Sequence, residues 1–324
     1  MSRFLGPERL AEHRWRNTLH SVVLVAGIGM LTLLSSVLIW SWTGIFIAFA
    51  AIGFVIALAP RIAPDALMRL YGGEYVDPRR GGQLVQLLEI LATRAELPAL
   101  PRLYVIPSAT LNAFATGNAN RAAIGITEGL LRRLSLREVA GVIAHEMSHI
   151  RNNDLFVMGL ADAMTRFTQV LAYTGLILAL LNIPALLLGE PTFSWLAVIL
   201  LYLAPTASSL LQSALSRARE FDADREAAHM TGDPLGLASA LRTLDRVQGR
   251  FWEDLMLPMP SRRIPNPSVL RTHPETEDRI RRLLELGSVP TTDRLSIVEA
   301  PLISMAGRGP GNLAPRWRWP GVWY

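Results

Sequence analysis

His145-Glu146-Met147-Ser148-His149 is where residue types and spacing in this chain first suggest chemistry. Residues i and i+4 share one face of a helix, so both imidazoles can reach one metal ion. Glu146 then lies beside that ion and can act on a water there. An exposed polar helix face is the plain alternative. The chain has no cysteine, so a metal site here draws on His, Asp and Glu. Disulfides, thiolate zinc sites and a cysteine nucleophile are excluded for the same reason.

A third ligand decides what kind of site this is. Metzincins carry a glycine three residues and a histidine six residues after the second histidine. Asn152 and Leu155 stand there, which excludes that pattern. Gluzincins take a glutamate from a later helix. Arg219-Glu220-Phe221-Asp222-Ala223-Asp224 offers Glu220 and Asp224 four residues apart. Two like charges on one helix face cost a few tenths of a kcal/mol. A functional reading puts Glu220 on zinc and Asp224 behind it, orienting a histidine through its second nitrogen. A solvated face neutralised by Arg217 and Arg225 would show the same letters.

These side chains need elements to hold them. Ser135 followed by Glu138 is a capping box that starts the helix of the first motif. Residues 82–96 repeat leucine at helical period. Residues 103–106, 111–116 and 122–126 read as short strands of a meander, punctuated by Pro107, Gly117-Asn118 and Gly129. Helices are expected over 216–229, 235–246 and 275–286, with a proline-rich loop over 256–267. Residues 307–324 are rich in Gly and Pro and carry Trp317, Trp319, Trp323 and Tyr324.

The composition points to a membrane. Half of the 324 residues are hydrophobic and 18% are charged, which argues against a soluble or a disordered chain. Residues 22–40 and 44–59 are uncharged runs close to the ~20 residues that span a hydrocarbon core. Trp40-Ser41-Trp42-Thr43 joins them as a hairpin turn with interfacial tryptophan. No small-residue cleavage site ends the apolar run, so a signal peptide is not expected. Residues 167–181 and 194–214 make a second apolar pair, the latter interrupted by Pro205. Buried core helices are the alternative for this pair.

The expected order is a leader (1–21), a hairpin (22–60), a part with the His-Glu motif (61–166), a second hairpin (167–214), a part with the third ligand (215–300) and an aromatic tail (301–324). Arg3, Arg9, Arg14, Arg16, Arg61, Arg69, Arg151, Arg166, Arg217 and Arg219 flank the spans on one side, and the hairpin turns hold no Arg. The positive-inside rule then places both termini and the parts outside the spans in the cytoplasm. The basic residues are all Arg and the net charge is +5. Anionic lipid accounts for that charge, so nucleic acid is not an expected partner.

With these features in place, the chain resembles the HtpX-like membrane metalloproteases and, more distantly, the CAAX prenyl endoproteases. An HExxH, two spans and then ExxxD is their layout, and the likeness runs over about residues 1–287. Asn152 and Asp154 extend the first motif as in that family. Residues 111–117, with Asn112, Ala113 and Phe114, resemble its substrate strand beside the cleft. Thr272-His273-Pro274 and Arg279-Ile280 resemble its C-terminal motifs. The tail after residue 300 is not part of the likeness.

The resemblance implies an α-helical membrane protein with an α+β gluzincin-type zinc protease domain and a small β meander beside the active-site helix. It implies one Zn2+ per chain on His145, His149 and Glu220, Glu146 as general base, and His273 and Arg279 as oxyanion partners. It implies a bacterial inner-membrane location and cleavage of misfolded or damaged membrane proteins. Expected partners are those substrates, the lipid bilayer and other membrane quality-control proteases. A protease whose motif lies within a span is disfavoured by the charged flanks Arg132, Arg133, Arg137, Glu138 and Arg151 to Asp154. A latent membrane scaffold that binds clients without cutting them is the alternative of another class. His13 and His20 read as interfacial or solvated, and His229 as a cation favouring a helix C-terminus.

Overall fold

The computed structural model describes residues 7–58, 63–79, 82–187, 195–254, 276–287, 295, 317–318 and 322–323. His273, the proline-rich loop, the second hairpin turn and most of the tail lie outside the described residues. The chain divides into two compact units. One comprises Met1–Leu5, Ile62–Leu155 and Arg219–Tyr324, and the other Gly6–Arg61 and Phe156–Ala218.

The second unit is helical. Helix α1 (Pro7–Trp40) and helix α2 (Trp42–Leu58) form the first hairpin. Ser41, in the left-handed region at φ 54, makes the turn between them. Helix α7 (Asp154–Leu187) and helix α8 (Trp195–Thr231) give this unit their stretches within Phe156–Ala218. Ile28, Ala161, Met164 and Leu215 form its buried core. A bond of 3.1 Å joins the Thr32 and Thr168 hydroxyls. Phe46, Phe49, Tyr173, Leu181, Leu196 and Tyr202 are exposed, as expected of side chains meeting lipid.

Among the described residues, α1, α7 and α8 contain stretches long and apolar enough to cross a bilayer. At 17 residues α2 is shorter, near the lower limit for a span. Pro205 does not interrupt the fourth apolar run: α8 passes through it without a break and includes the helix expected separately over 216–229. A proline removes one backbone donor, and in apolar surroundings the rest of the helix remains the best way to satisfy its neighbours.

The first unit combines a small sheet with helices. Its strands are β1 (Glu74–Tyr75), β2 (Arg102–Ile106), β3 (Ala113–Asn118) and β4 (Arg121–Thr127). Their order, β1-β2-β4-β3, corrects the expected meander, because β2 and β4 run parallel. Burial gives the reason. All of β4 after Arg121 is buried, so it suits the interior of a sheet, while β3 ends in half-buried and exposed residues and takes the edge. One sheet face packs Val105, Ala113, Ala115 and Ile124 into the core that holds helix α4 (Gly82–Arg94) and helix α6 (Leu136–Arg151). The other packs Tyr104, Phe114 and Ala123 against Met68 of helix α3 (Pro64–Leu70).

Helix α5 (Glu128–Arg133) follows β4 directly, capped by Thr127. The capping box at Ser135 is formed, with the Ser135 N–H donating to Glu138 at 2.8 Å. Helix α9 (Pro234–Asp254) crosses α6 so closely that a Cβ on Gly141 would lie 2.9 Å from the Leu237 Cα. Helix α10 (Thr276–Glu285) follows. In the tail, β5 (Trp317–Arg318) pairs antiparallel with β6 (Val322–Trp323), a hairpin where no regular structure was expected.

Candidate active site

Helix α6 supplies the first part of the site. His145 and His149, one turn apart, are both buried, and so is Glu146 between them. Glu220 enters from the last part of α8, which belongs to the same unit. Nε2 of His145 lies 3.2 Å from Nε2 of His149 and 3.3 Å from Oε2 of Glu220. Nε2 of His149 lies 3.7 Å from the other Glu220 oxygen.

These distances allow a test of fit. Ligand arms of about 2.0–2.1 Å in tetrahedral array put donor atoms about 3.3 Å apart. Two imidazoles and a carboxylate at 3.2–3.7 Å therefore suit a zinc-sized ion. Among the described residues, His145, His149 and Glu220 are the group able to hold a metal in this way.

The second nitrogen of each imidazole faces a carboxylate. Nδ1 of His145 is 3.0 Å from Asp224 Oδ1, and Nδ1 of His149 is 2.9 Å from Asp154 Oδ2. A carboxylate at Nδ1 favours the tautomer with its proton there, which leaves Nε2 open as a ligand. Burial alone would lower the His145 pKa, but the Asp224 and Glu220 carboxylates outweigh it and raise it to about 10. For His149 burial acts in the same sense, yet Asp154 and Glu220 carry the net shift upward.

Arg279, from α10, grips Asp224 with two guanidinium nitrogens at 2.7 and 2.6 Å. Its third nitrogen lies 3.2 Å from Glu220 Oε2. The resemblance grouped Arg279 with oxyanion partners; the structure places it against the carboxylates of Asp224 and Glu220. That partner could not be read from spacing, since 55 residues separate Arg279 from Asp224.

Glu146 is held by the sheet. The Ala115 N–H donates to its Oε2 at 3.0 Å. Burial pushes the Glu146 carboxyl above its ordinary range, against the opposing pull of His145 and His149. The β3 register explains the reach of Ala115. Thr127 N–H donates to the Asn112 carbonyl, so Asn112 faces β4. Alternation then turns Ala113 and Ala115 toward the outer edge and Phe114 back toward β4. Of the three expected strand residues, Ala113 alone presents its backbone at that edge. Leu130, Val142, Leu237 and Leu241 line an apolar pocket that Ala113, His145 and Glu146 share.

A helix-borne His-Glu-x-x-His that converges with a glutamate from a later helix, beside an edge strand, defines the class of gluzincin-type metalloprotease. Comparison with known proteins gives the family. Residues 78–286 match Peptidase family M48, and the chain belongs to that family. It is 33% identical over 290 residues to the protease HtpX homolog of Salinibacter ruber, covering 83% of this chain and 98% of the relative. It is 37% identical over 231 residues to the protease HtpX homolog of Burkholderia thailandensis, covering 68% and 79%. The crystal structure of S. mikatae Ste24p aligns with a TM-score of 0.43 at 19% identity, over 84% of this chain and 66% of that one. The protein is a membrane metalloprotease with a small sheet in an otherwise helical fold.

Proposed function

We propose that the protein is a zinc metalloendopeptidase of the bacterial inner membrane, with a cytoplasm-facing active site that hydrolyses misfolded or damaged membrane proteins. The convergence of three ligand-type atoms within 3.2–3.7 Å, next to a carboxylate fixed by a backbone N–H, carries this reading. His145, His149 and Glu220 would hold the zinc. When bound, it would activate a water and polarise the scissile carbonyl.

The remaining steps belong to side chains. Glu146, anchored through Oε2, takes the water's proton on its other oxygen and passes it to the leaving amine. A substrate strand pairs with the β3 edge at Ala113, which reads backbone rather than sequence and suits varied damaged substrates. Asp224 orients His145, and Arg279 holds Asp224 in place. His273 is retained from the resemblance as the oxyanion partner. Arg-free hairpin turns support the cytoplasmic orientation.

The test is Glu146→Gln in the full-length detergent-solubilised protein. It should keep stoichiometric zinc and lose about 10²–10⁴-fold in peptide hydrolysis. Full activity in that variant would remove Glu146 from the chemistry. The same inactive variant, used as bait in the native membrane, should retain uncut membrane proteins. If it captures none that wild type degrades, the quality-control reading fails.

A further inference from the structure

Asp154, which is buried, and Arg219, which is partly buried, are polar groups next to this site that the mechanism above does not use. Asp154 is 2% exposed, so its carboxylate needs partners on both oxygens to tolerate burial. It has them. Oδ2 meets His149 Nδ1 at 2.9 Å and Oδ1 meets an Arg219 guanidinium nitrogen at 2.8 Å.

The local backbone brings this about. α6 ends at Arg151, and Asn153 adopts a left-handed φ of 56. That bend starts α7 at Asp154 and returns its side chain to a histidine five residues back. Arg219 arrives from α8, one residue before the ligand Glu220.

The arrangement repeats what surrounds the other imidazole. His145 faces Asp224, which Arg279 clamps. His149 faces Asp154, which Arg219 meets through one guanidinium nitrogen. Charge supports the parallel. Glu146, Asp154, Glu220 and Asp224 set against Arg219 and Arg279 leave two negative charges, the complement of one dication.

We propose that Asp154 and Arg219 are a second positioning pair of the metal centre, fixing His149 as Asp224 and Arg279 fix His145. Asp154 holds the His149 proton on Nδ1 and the ring in its ligating orientation. Arg219 acts through Asp154: without it the carboxylate loses its compensating charge and moves off the imidazole. The inference rests on the zinc reading above.

Zinc affinity, measured by chelator competition on full-length protein in detergent, tests both parts. Asp154→Ala should bind zinc about 10–100-fold more weakly, and Asp154→Asn, which keeps an acceptor oxygen, should lose less. Arg219→Gln should weaken zinc in the wild-type background and have no further effect in Asp154→Ala. Cobalt-substituted Asp154→Asn should show shifted visible bands, which a purely structural role would leave in place. If Asp154→Ala does not fold, Asp154→Asn with unchanged affinity and spectrum overturns the proposal. Fully multiplicative losses in the double variant overturn the assignment of Arg219. If wild type takes up no zinc, the metal reading fails together with this one. If wild type binds zinc and Asp154→Ala binds it as tightly, this inference alone fails.

Discussion

At the scale of single residues, the site sets protons against a metal. Asp224 and Glu220 hold the His145 imidazole protonated to about pH 10 once a chelator has removed any metal. The sign of the stability effect follows. The folded pKa lies above the unfolded value of about 6.5, so this contribution is complete below pH 6.5 and is lost as pH rises through about 10. Chelator-treated protein should therefore lose melting temperature across that window. Zinc uptake at pH 7–8 should release protons, measured as a dependence of binding heat on the ionisation enthalpy of the buffer. Uptake without proton release would contradict the Asp224–His145 contact. Arg279 and His273 can be separated in the same assays. Arg279→Gln leaves the Asp224 carboxylate buried without its fork, so it should lower zinc affinity, by about 10–100-fold. His273→Ala should keep zinc and lose about 10²–10³-fold in kcat. Full zinc affinity in Arg279→Gln would return that arginine to an oxyanion role.

At the scale of elements, legibility follows the range of each interaction. The α6 cap needs residues three apart, and the HExxH face needs residues four apart, so both could be read directly. The helices starting at Gly82, Pro234 and Thr276 were legible from period and punctuation in the same way. Strand order was not, because pairing β2 with β4 skips over β3, and nothing local to either strand encodes that. Asp154 was visible as a letter of the motif. Its use was hidden in the left-handed turn at Asn153 and in a guanidinium 65 residues away. Gly141 is another such case, an ordinary helix glycine until α9 is seen against it. Alanine there would gain about 1 kcal/mol in helix propensity. Its methyl group would meet the Leu237 backbone at 2.9–3.0 Å, and overpacking against backbone costs about 1–3 kcal/mol. Gly141→Ala should therefore lower the melting temperature, most clearly under chelation, where zinc cannot mask the loss. An unchanged or raised melting temperature would mean that α9 moves away at no cost. Elsewhere in the same unit, Asp65 accepts from Tyr104 at 2.9 Å and from Arg102 at 2.7 Å. Desolvation raises its pKa, but Tyr104, Arg121 and Arg102 outweigh that and lower it. This support for α3 is present above the ordinary aspartate value and lost as pH falls through the lowered one.

At the scale of the whole molecule, the question is where each surface faces. Phe46, Phe49, Tyr173, Leu196 and Tyr202 are exposed in the helical unit, and water would not tolerate so much outward apolar area in a stable monomer. Alkaline carbonate should accordingly leave the protein in the membrane fraction. Orientation is a separate matter, and the proposed one rests on arginines that lie beside the apolar runs and are absent from both turns. Ten flanking arginines lie beside the runs, the loop bias on which the positive-inside rule rests. A periplasm-active reporter fused at Glu190, within the second turn, should be active, and the same reporter at residue 324 should be silent. A cytoplasm-active reporter should give the opposite pair. The two positions discriminate between ways of being wrong. Activity of the periplasmic reporter at 324 alone would invert the protein and place the His145–Glu220 centre outside the cytoplasm. Silence at both positions would mean that α7 and α8 enter the bilayer without crossing it. Their hydroxyl-bearing residues Thr168 and Ser208, both fully buried, would then line a re-entrant hairpin, where polar groups at membrane depth are satisfied by protein rather than lipid. Inserting two arginines at Glu190 settles the cause. If arginine placement governs topology, the insertion should reduce periplasmic reporter activity at that turn while the first hairpin stays as it is.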